Sequence, residues 1–146
     1  MYWNILLAED DPDDILFFQT ALQELQVSAN LSIVKNGEEL MTFLVKDSQI
    51  PDILFLDLIM PRKNGFQCLA EIAANEKLKD LSVVVLSTFF PSDKHYESDM
   101  IENLVKIRAH IFFIKPGDPE KLKEGISFAL ATSAKKSEAR RVEQLR

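Results

Sequence analysis

Four short runs of apolar residues, each followed by polar residues, constrain the fold of this chain most strongly. The runs are Ile5–Ala8, Ile53–Leu56, Val83–Leu86 and Ile111–Ile114. Continuous apolar runs of this length are typical of strands that are covered on both faces, as in a parallel sheet. A fifth run, Leu31–Lys35, mixes polar and apolar residues and fits a strand at the edge of such a sheet.

Segments with helical spacing lie between these runs. Apolar residues recur every three or four positions, for example at Ile15, Phe18 and Leu22. Pro12 stands where a helix would begin, and Asn64 is a residue type that caps helices. Strand and helix signals alternate five times, which predicts an α/β fold with a five-stranded parallel sheet, helices on both faces and right-handed crossovers.

Composition narrows the class of protein further. The chain has 146 residues, enough for one domain, and a net charge of −6, which argues against a nucleic-acid-binding surface. A single cysteine, Cys68, excludes an internal disulfide, and no apolar run approaches the roughly 18 residues that a membrane span needs. We expect a cytoplasmic domain over residues 1–131, with residues 132–146 as a helical extension or tail, and no membrane or nucleic-acid partner.

Chemically active side chains follow the predicted strands. Glu9 and Asp10 follow the first run, and Asp57 follows the run Ile53–Leu56. Ser87 and Lys115 follow the last two runs. Ligands bind at the carboxyl ends of the strands in open α/β sheets, so these side chains are predicted to meet at one edge.

The charges at that edge indicate what chemistry it would do. Glu9, Asp10 and Asp57 are like charges that must either protonate or hold a cation when crowded together. Carboxylates and waters are ligands that Mg²⁺ prefers. A metal ion and Lys115 beside a carboxylate nucleophile are what phosphoryl transfer requires, and Ser87 would donate a hydrogen bond to a phosphoryl oxygen.

These residues carry a resemblance to the response-regulator receiver family, over about residues 4–131. The matching stretches are Ile5–Asp10 (ILLAED), Asp57–Gly65 (DLIMPRKNG), Val84–Ser87 (VVLS) and Lys115-Pro116. The most specific part is Asp57 followed by Met60, Pro61 and Gly65. The resemblance implies a flavodoxin-like, doubly wound sheet with strand order 2-1-3-4-5.

The resemblance also implies a role for each residue of the acidic site. Asp57 would be the phosphoacceptor and would also contact the metal, which would be Mg²⁺ or Mn²⁺. Asp10 would bind the metal directly, and Glu9 would do so directly or through water. The backbone carbonyl of Ile59 would be a further ligand.

A second set of implied roles concerns the response to phosphorylation. Ser87 would contact the phosphoryl group, with Thr88 as the alternative hydroxyl. Lys115 would pair with Asp57 before transfer and with a phosphoryl oxygen afterwards, and its bond to Pro116 would be cis. Phe112 occupies the position of the aromatic switch, although a role in core packing alone is the alternative.

The chain departs from the family pattern between Ser87 and Lys115. This segment is a few residues longer than usual and begins with Phe89-Phe90-Pro91, and Arg108-Ala109 stands where small residues are usual. Similar stretched segments occur in single-domain regulators that partner phytochrome-type and related hybrid histidine kinases. The departures fall on the surface formed by the fourth helix, the last strand and the last helix.

The function implied is a phosphorylation switch, enzymatic only in its own phosphorylation and dephosphorylation. A histidine kinase or histidine phosphotransfer protein would donate the phosphoryl group, and an unknown downstream protein would read the switched surface. A homodimer through that surface or through the tail is an open alternative, as is an interaction module that works without phosphorylation. A dinucleotide enzyme is disfavoured because the first turn, Glu9–Pro12, is acidic and lacks glycine. A metal-dependent hydrolase is disfavoured because Ile59 stands where a second acid would be expected.

Overall fold

Five strands and five α-helices alternate in the part of the chain that the structure describes. In this computed structural model, residues 2–46, 50–87, 94–107, 109–113 and 118–144 are described, of which residues 87, 94–100, 110–113 and 134–144 by their backbone. The strands are β1 (Trp3–Ala8), β2 (Ala29–Val34), β3 (Ile53–Leu56), β4 (Ser82–Ser87) and β5 (His110–Phe113). The helices are α1 (Pro12–Glu24), α2 (Gly37–Lys46), α3 (Gly65–Ala74), α4 (Lys94–Ile107) and α5 (Pro119–Gln144), with a short 3-10 helix at Glu76–Leu78.

The strands form one parallel sheet in the order β2-β1-β3-β4-β5. Leu7 of β1 lies level with Ile33 of β2 and Phe55 of β3. This confirms the predicted sheet and strand order, with β2 at an edge. The observed edge strand starts earlier than the predicted run, at Ala29, because its pairing with β1 begins at Trp3.

Alternation along the strands divides the core into two layers, because successive strand residues point to opposite faces. Ile5 and Leu7 lie on one face of β1, and Leu6 and Ala8 lie on the other. The first face is covered by α1 and α5, whose buried residues are Phe18, Ala21, Leu22, Leu122, Ile126, Ala129 and Leu130. The second is covered by α2, α3 and α4, whose buried residues are Leu40, Leu44, Cys68, Leu69, Ile72, Leu104 and Ile107. Helices therefore cover both faces, as predicted.

Local capping fixes where the helices next to the predicted site begin. The Asp11 carboxylate accepts hydrogen bonds from the backbone N–H groups of Asp13 and Asp14, at 2.8 and 3.2 Å, and Pro12 occupies the first turn. Asn64 and Gln67 form a reciprocal capping box at the start of α3. The predicted helix starts at Pro12 and after Asn64 are confirmed.

The last helix is long, running from Pro119 to Gln144 without a break. It therefore continues past residue 131, where the sequence placed the end of the domain. The division of the chain at that point stays a prediction. No helix in the described part of the chain combines the length and apolar character needed to cross a membrane.

Two neighbouring phenylalanines of α1 test the importance of this packing. Phe18 is 2% exposed and meets Phe55 edge-on, with ring centroids 4.9 Å apart, whereas Phe17 is 49% exposed. We expect Phe18→Ala to lower the free energy of unfolding by about 3–5 kcal/mol, because it removes a buried ring and leaves a cavity. Phe17→Ala is the matched control and should cost about 1 kcal/mol or less. Equal losses in urea unfolding would show that α1 does not pack as described.

Candidate functional site

Strand pairing places Glu9 and Asp57 next to each other. The last residues of β1 and β3, Ala8 and Leu56, are register partners, so the acids that follow them leave the sheet at the same level. The backbone N–H of Asp57 donates to the carbonyl of Ala8 at 3.0 Å, and that of Glu9 donates to the carbonyl of Val34 at 3.0 Å. These main-chain hydrogen bonds therefore fix the positions of both residues independently of any contact between their side chains.

Three carboxylates converge at this edge of the sheet. One oxygen from each of Glu9, Asp10 and Asp57 lies within 4.8 Å of the others. Glu9 is buried, Asp57 is partly buried and Asp10 is exposed, so the cluster opens to solvent on one side. In the part of the chain that the structure describes, no other three His, Cys, Asp or Glu side chains come together in this way.

Backbone amides orient two of the carboxylates. The N–H of Asp11 donates to Oε1 of Glu9 at 3.0 Å, and the N–H of Ile59 donates to Oδ1 of Asp57 at 3.3 Å. Each carboxylate also has an oxygen lone pair that these bonds do not use. The arrangement fixes the direction of both side chains and leaves them able to bind a further group.

The crowding of these acids changes their protonation. Burial first, and then the adjacent charge of Asp57, raise the pKa of Glu9 to about 8. Burial likewise raises the pKa of Asp57, to about 6, while hydrogen bonds from Ile59 and Glu9 oppose that rise. In the absence of a cation, Glu9 therefore keeps its proton at neutral pH and donates it to Asp57. A hard divalent cation would replace that proton, and the oxygen ligands present suit one.

A glycine lets the chain turn tightly behind Asp57. The N–H of Gly65 donates to the carbonyl of Leu58 at 2.9 Å. A Cβ atom at Gly65 would lie 2.6 Å from the carbonyl oxygen of Asp57 and 2.6 Å from the Cα atom of Leu58. No side chain fits there, which gives a physical reason for the glycine that the sequence motif contains.

One further acid, which the sequence analysis did not include in the site, lies near it. Asp14 lies on the first turn of α1, and its negative charge raises the pKa of both Glu9 and Asp57. The pKa of Asp14 is itself raised, by burial first and by Asp11, Asp13 and Asp10 in addition. Its position in the first turn of the helix that directly follows Glu9 and Asp10 was the available signal.

The other predicted site residues are described only in part. Ser87 and Phe112 lie on β4 and β5, where their backbones pair with Phe113 and Leu86 respectively. Their side chains, and all of Thr88 and Lys115, lie outside the described residues, as do Phe89, Phe90, Pro91, Arg108 and the predicted cis bond to Pro116. The roles assigned to these residues stay predictions.

Comparison with known proteins identifies the family. The family model described as the response regulator receiver domain matches residues 5–127, which cover the acidic cluster and all of the sheet except the first two residues of β1. The chain belongs to this family. The resemblance inferred from the residues around Asp57 is confirmed, and so is its place in two-component signalling.

Relatives of known sequence include two response regulators. Response regulator Rcp1 of Synechocystis is 37% identical over 102 residues, which are 66% of this receiver chain and 66% of Rcp1. The probable C4-dicarboxylate response regulator DctR of Bacillus subtilis is 35% identical over 127 residues, or 85% of this chain and 50% of DctR. The chain thus matches about two thirds of one relative's length and half of the other's.

Solved structures that superpose on this chain include two response regulators. The phosphorylated cyanobacterial phytochrome response regulator RcpA superposes with a TM-score of 0.72 at 31% identity, covering 90% of this chain and 96% of RcpA. The Mn²⁺-bound form of Rcp1 superposes with a TM-score of 0.67 at 29% identity, covering 84% and 87%. Phosphorylation is a feature of that RcpA structure, and bound Mn²⁺ is a feature of that Rcp1 structure.

The acidic cluster predicts how stability depends on pH in metal-free protein. Because the pKa values of Glu9 and Asp57 are raised in the folded state, that state holds more protons than the unfolded chain. The stabilisation is complete below the unfolded pKa values of 4.5 and 3.8 and is lost as the pH rises towards 8. In EDTA at pH 8.5, Asp57→Asn should unfold with a free energy about 1–3 kcal/mol above that of the wild type, and this gap should shrink at pH 5.

The control for this measurement is Glu76→Gln, an exposed acid beyond the end of α3. Its free energy of unfolding should follow that of the wild type at both pH values. A gap between Asp57→Asn and the wild type that is the same at pH 5 and pH 8.5 would contradict the charge crowding described.

Proposed function

We propose that this chain is a response regulator in which Asp57 accepts a phosphoryl group from a histidine kinase or a histidine phosphotransfer protein. One observation carries the proposal: the convergence of Glu9, Asp10 and Asp57 within 4.8 Å at the carboxyl ends of β1 and β3. Membership of the receiver family supports it. The group transferred changes the surface of the protein, and catalysis is limited to its own phosphorylation and dephosphorylation.

Transfer requires an ionised Asp57. One carboxylate oxygen forms a bond to phosphorus while the bond from phosphorus to the donor nitrogen breaks, and the nitrogen keeps that electron pair. The hydrogen bond from the Ile59 N–H orients the nucleophile and favours its charged form. Glu9 must release the proton that it shares with Asp57 before this step.

The divalent ion would be Mg²⁺ or Mn²⁺, and its ligands would be Glu9, Asp10, Asp57 and the backbone carbonyl of Ile59. When bound, it would supply positive charge that balances the carboxylates and the phosphoryl oxygens. The exposed position of Asp10 leaves the open side of the cluster accessible to the ion and to the phosphodonor. Glu9, which is buried, would supply a further negative charge to the ion once it has lost its proton.

Ser87 and Lys115 are proposed to complete the site. Leu56 and Val85 are register partners, so Ser87 lies just beyond the level of Asp57 on the neighbouring strand. Lys115 comes two residues after Phe113, the register partner of Ser87. We assign Ser87 the hydrogen bond to a phosphoryl oxygen and Lys115 the ion pair with that group, with Thr88 as the alternative hydroxyl.

The response would be a population shift between two states. Movement of Ser87 towards the phosphoryl group would favour an inward position of Phe112, whose backbone is paired with the residue before Ser87. The surface of α4, β5 and α5 would then change and meet a downstream protein or a second copy of the chain. We assign this function to residues 1–131 in the cytoplasm, with residues 132–146 as an extension of α5.

Phosphorylation from a small-molecule donor tests the proposal. Incubation with acetyl phosphate and Mg²⁺ should add one phosphoryl group to the intact mass of the wild type. The adduct should be absent with EDTA and absent in Asp57→Asn, because the variant lacks the nucleophile. A wild type that gains no mass would support an interaction module instead. An Asp57→Asn variant that gains as much mass as the wild type would show that Asp57 is not the acceptor.

Metal affinity tests the acidic ligands separately. Asp10→Asn should weaken Mg²⁺ binding in isothermal titration by about tenfold or more, equivalent to at least 1.4 kcal/mol, because a carboxylate ligand is lost. Asp13→Asn is the matched control, since Asp13 lies on the first turn of α1 and contributes its backbone N–H to the cap. Equal loss in both variants would indicate a general effect of charge rather than a ligand at Asp10.

A further inference from the structure

The loop that carries Asp57 and Ile59 packs against the start of α2. The loop runs over residues 57–64 between β3 and α3. A Cβ atom at Gly37 would lie 2.6 Å from the carbonyl carbon of Lys63 and 2.7 Å from its Cβ atom, and it would come closer still to its carbonyl oxygen. The backbone of Lys63 therefore rests directly on Gly37, with no room for a methyl group between them.

Gly37 is a fixed support because α2 is anchored in the core. Leu40 and Leu44 are 0% and 3% exposed and pack with the layer formed by α3 and α4. The Asn36 side chain accepts a hydrogen bond from the N–H of Glu39 at 2.8 Å at the start of the helix. A group larger than hydrogen at Gly37 would therefore push the loop outward rather than displace α2.

The loop is also held in an unusual backbone conformation. Arg62 has a φ of 67°, in the left-handed region that residues other than glycine rarely adopt. Its side chain contacts Glu38 at 3.4 Å, but both side chains are well exposed, at 67% and 60%, so this ion pair contributes little. The packing of Lys63 on Gly37, and the 2.8 Å pair from Lys63 to Glu71 on α3, restrain the chain directly after Arg62.

We propose that Gly37 and the left-handed backbone at Arg62 are positioning elements, which set the place of the loop and thereby the affinity of the acidic site for its cation. This inference rests on the proposed function. The start of the loop is held against Gly65, whose N–H donates to the carbonyl of Leu58 at 2.9 Å and which leaves no room for a side chain beside the Asp57 carbonyl. Because the loop is short and held at both ends, a shift of Lys63 also moves Ile59 and Asp57.

Variants at two positions test the proposal through Mg²⁺ affinity in isothermal titration. Gly37→Ala should weaken binding by about tenfold, the lower end of the effect expected for residues that orient ligands. Arg62→Val opposes a left-handed backbone and should weaken binding to a similar extent. Arg62→Asn also removes the ion pair but tolerates the left-handed region, so it should bind Mg²⁺ within about twofold of the wild type.

Two further measurements separate positioning from loss of fold. At saturating Mg²⁺, prolonged incubation with acetyl phosphate should still add one phosphoryl group to the intact mass of all three variants, since each folded variant keeps the nucleophile. Urea unfolding in EDTA reports the fraction of each variant that is folded. If Gly37→Ala fails to fold, the pair Arg62→Val and Arg62→Asn decides the question alone.

The results that overturn the inference differ from those that overturn the proposed function. Wild-type affinity in folded Gly37→Ala and Arg62→Val, or equal losses in Arg62→Val and Arg62→Asn, would overturn the positioning role and leave the proposed function standing. A wild type that binds no Mg²⁺ would overturn both.

Discussion

The parallel pairing of β1 with β3 is the constraint on which the site depends. It brings the ends of two buried strands to the same level and makes Glu9 and Asp57 neighbours. Hydrogen bonds from the backbone of Asp57 to Ala8, and of Glu9 to Val34, then fix where the acids emerge. The repulsion between the acids is imposed by the sheet, because the sheet itself is stabilised by apolar residues on both faces.

That repulsion gives the site its chemical character. A buried carboxyl group that keeps its proton at neutral pH does not bind a cation until the proton leaves, so metal binding and protonation compete. The crowded carboxylates of Glu9 and Asp57 lower the stability of the metal-free fold, and they give the site a strong tendency to bind positive charge. Asp57 itself is only partly buried and lies beside the exposed Asp10, so the cluster meets solvent on that side.

Much of the fold was predictable because its signals are local. The apolar runs gave the strands, and the caps at Asp11 and Asn64 gave two of the helix starts. The acidic cluster was predictable from the rule that the ends of parallel strands meet at one edge. The difference between Glu9 and Asp10 was not, because adjacent acids in a sequence look alike until packing buries one and exposes the other. The contact between Gly37 and Lys63 was also missed, since it joins residues from separate loops and depends on the packing of α2.

The most direct test of the account is to locate the phosphoryl group chemically. An aspartyl phosphate is reduced by borohydride to homoserine, whereas a free carboxylate is not, so peptide sequencing after treatment with acetyl phosphate, Mg²⁺ and borohydride identifies the acceptor. The account predicts homoserine at position 57 and at no other position, and only when Mg²⁺ is present. Homoserine at Asp10, at another acid or at none would contradict it.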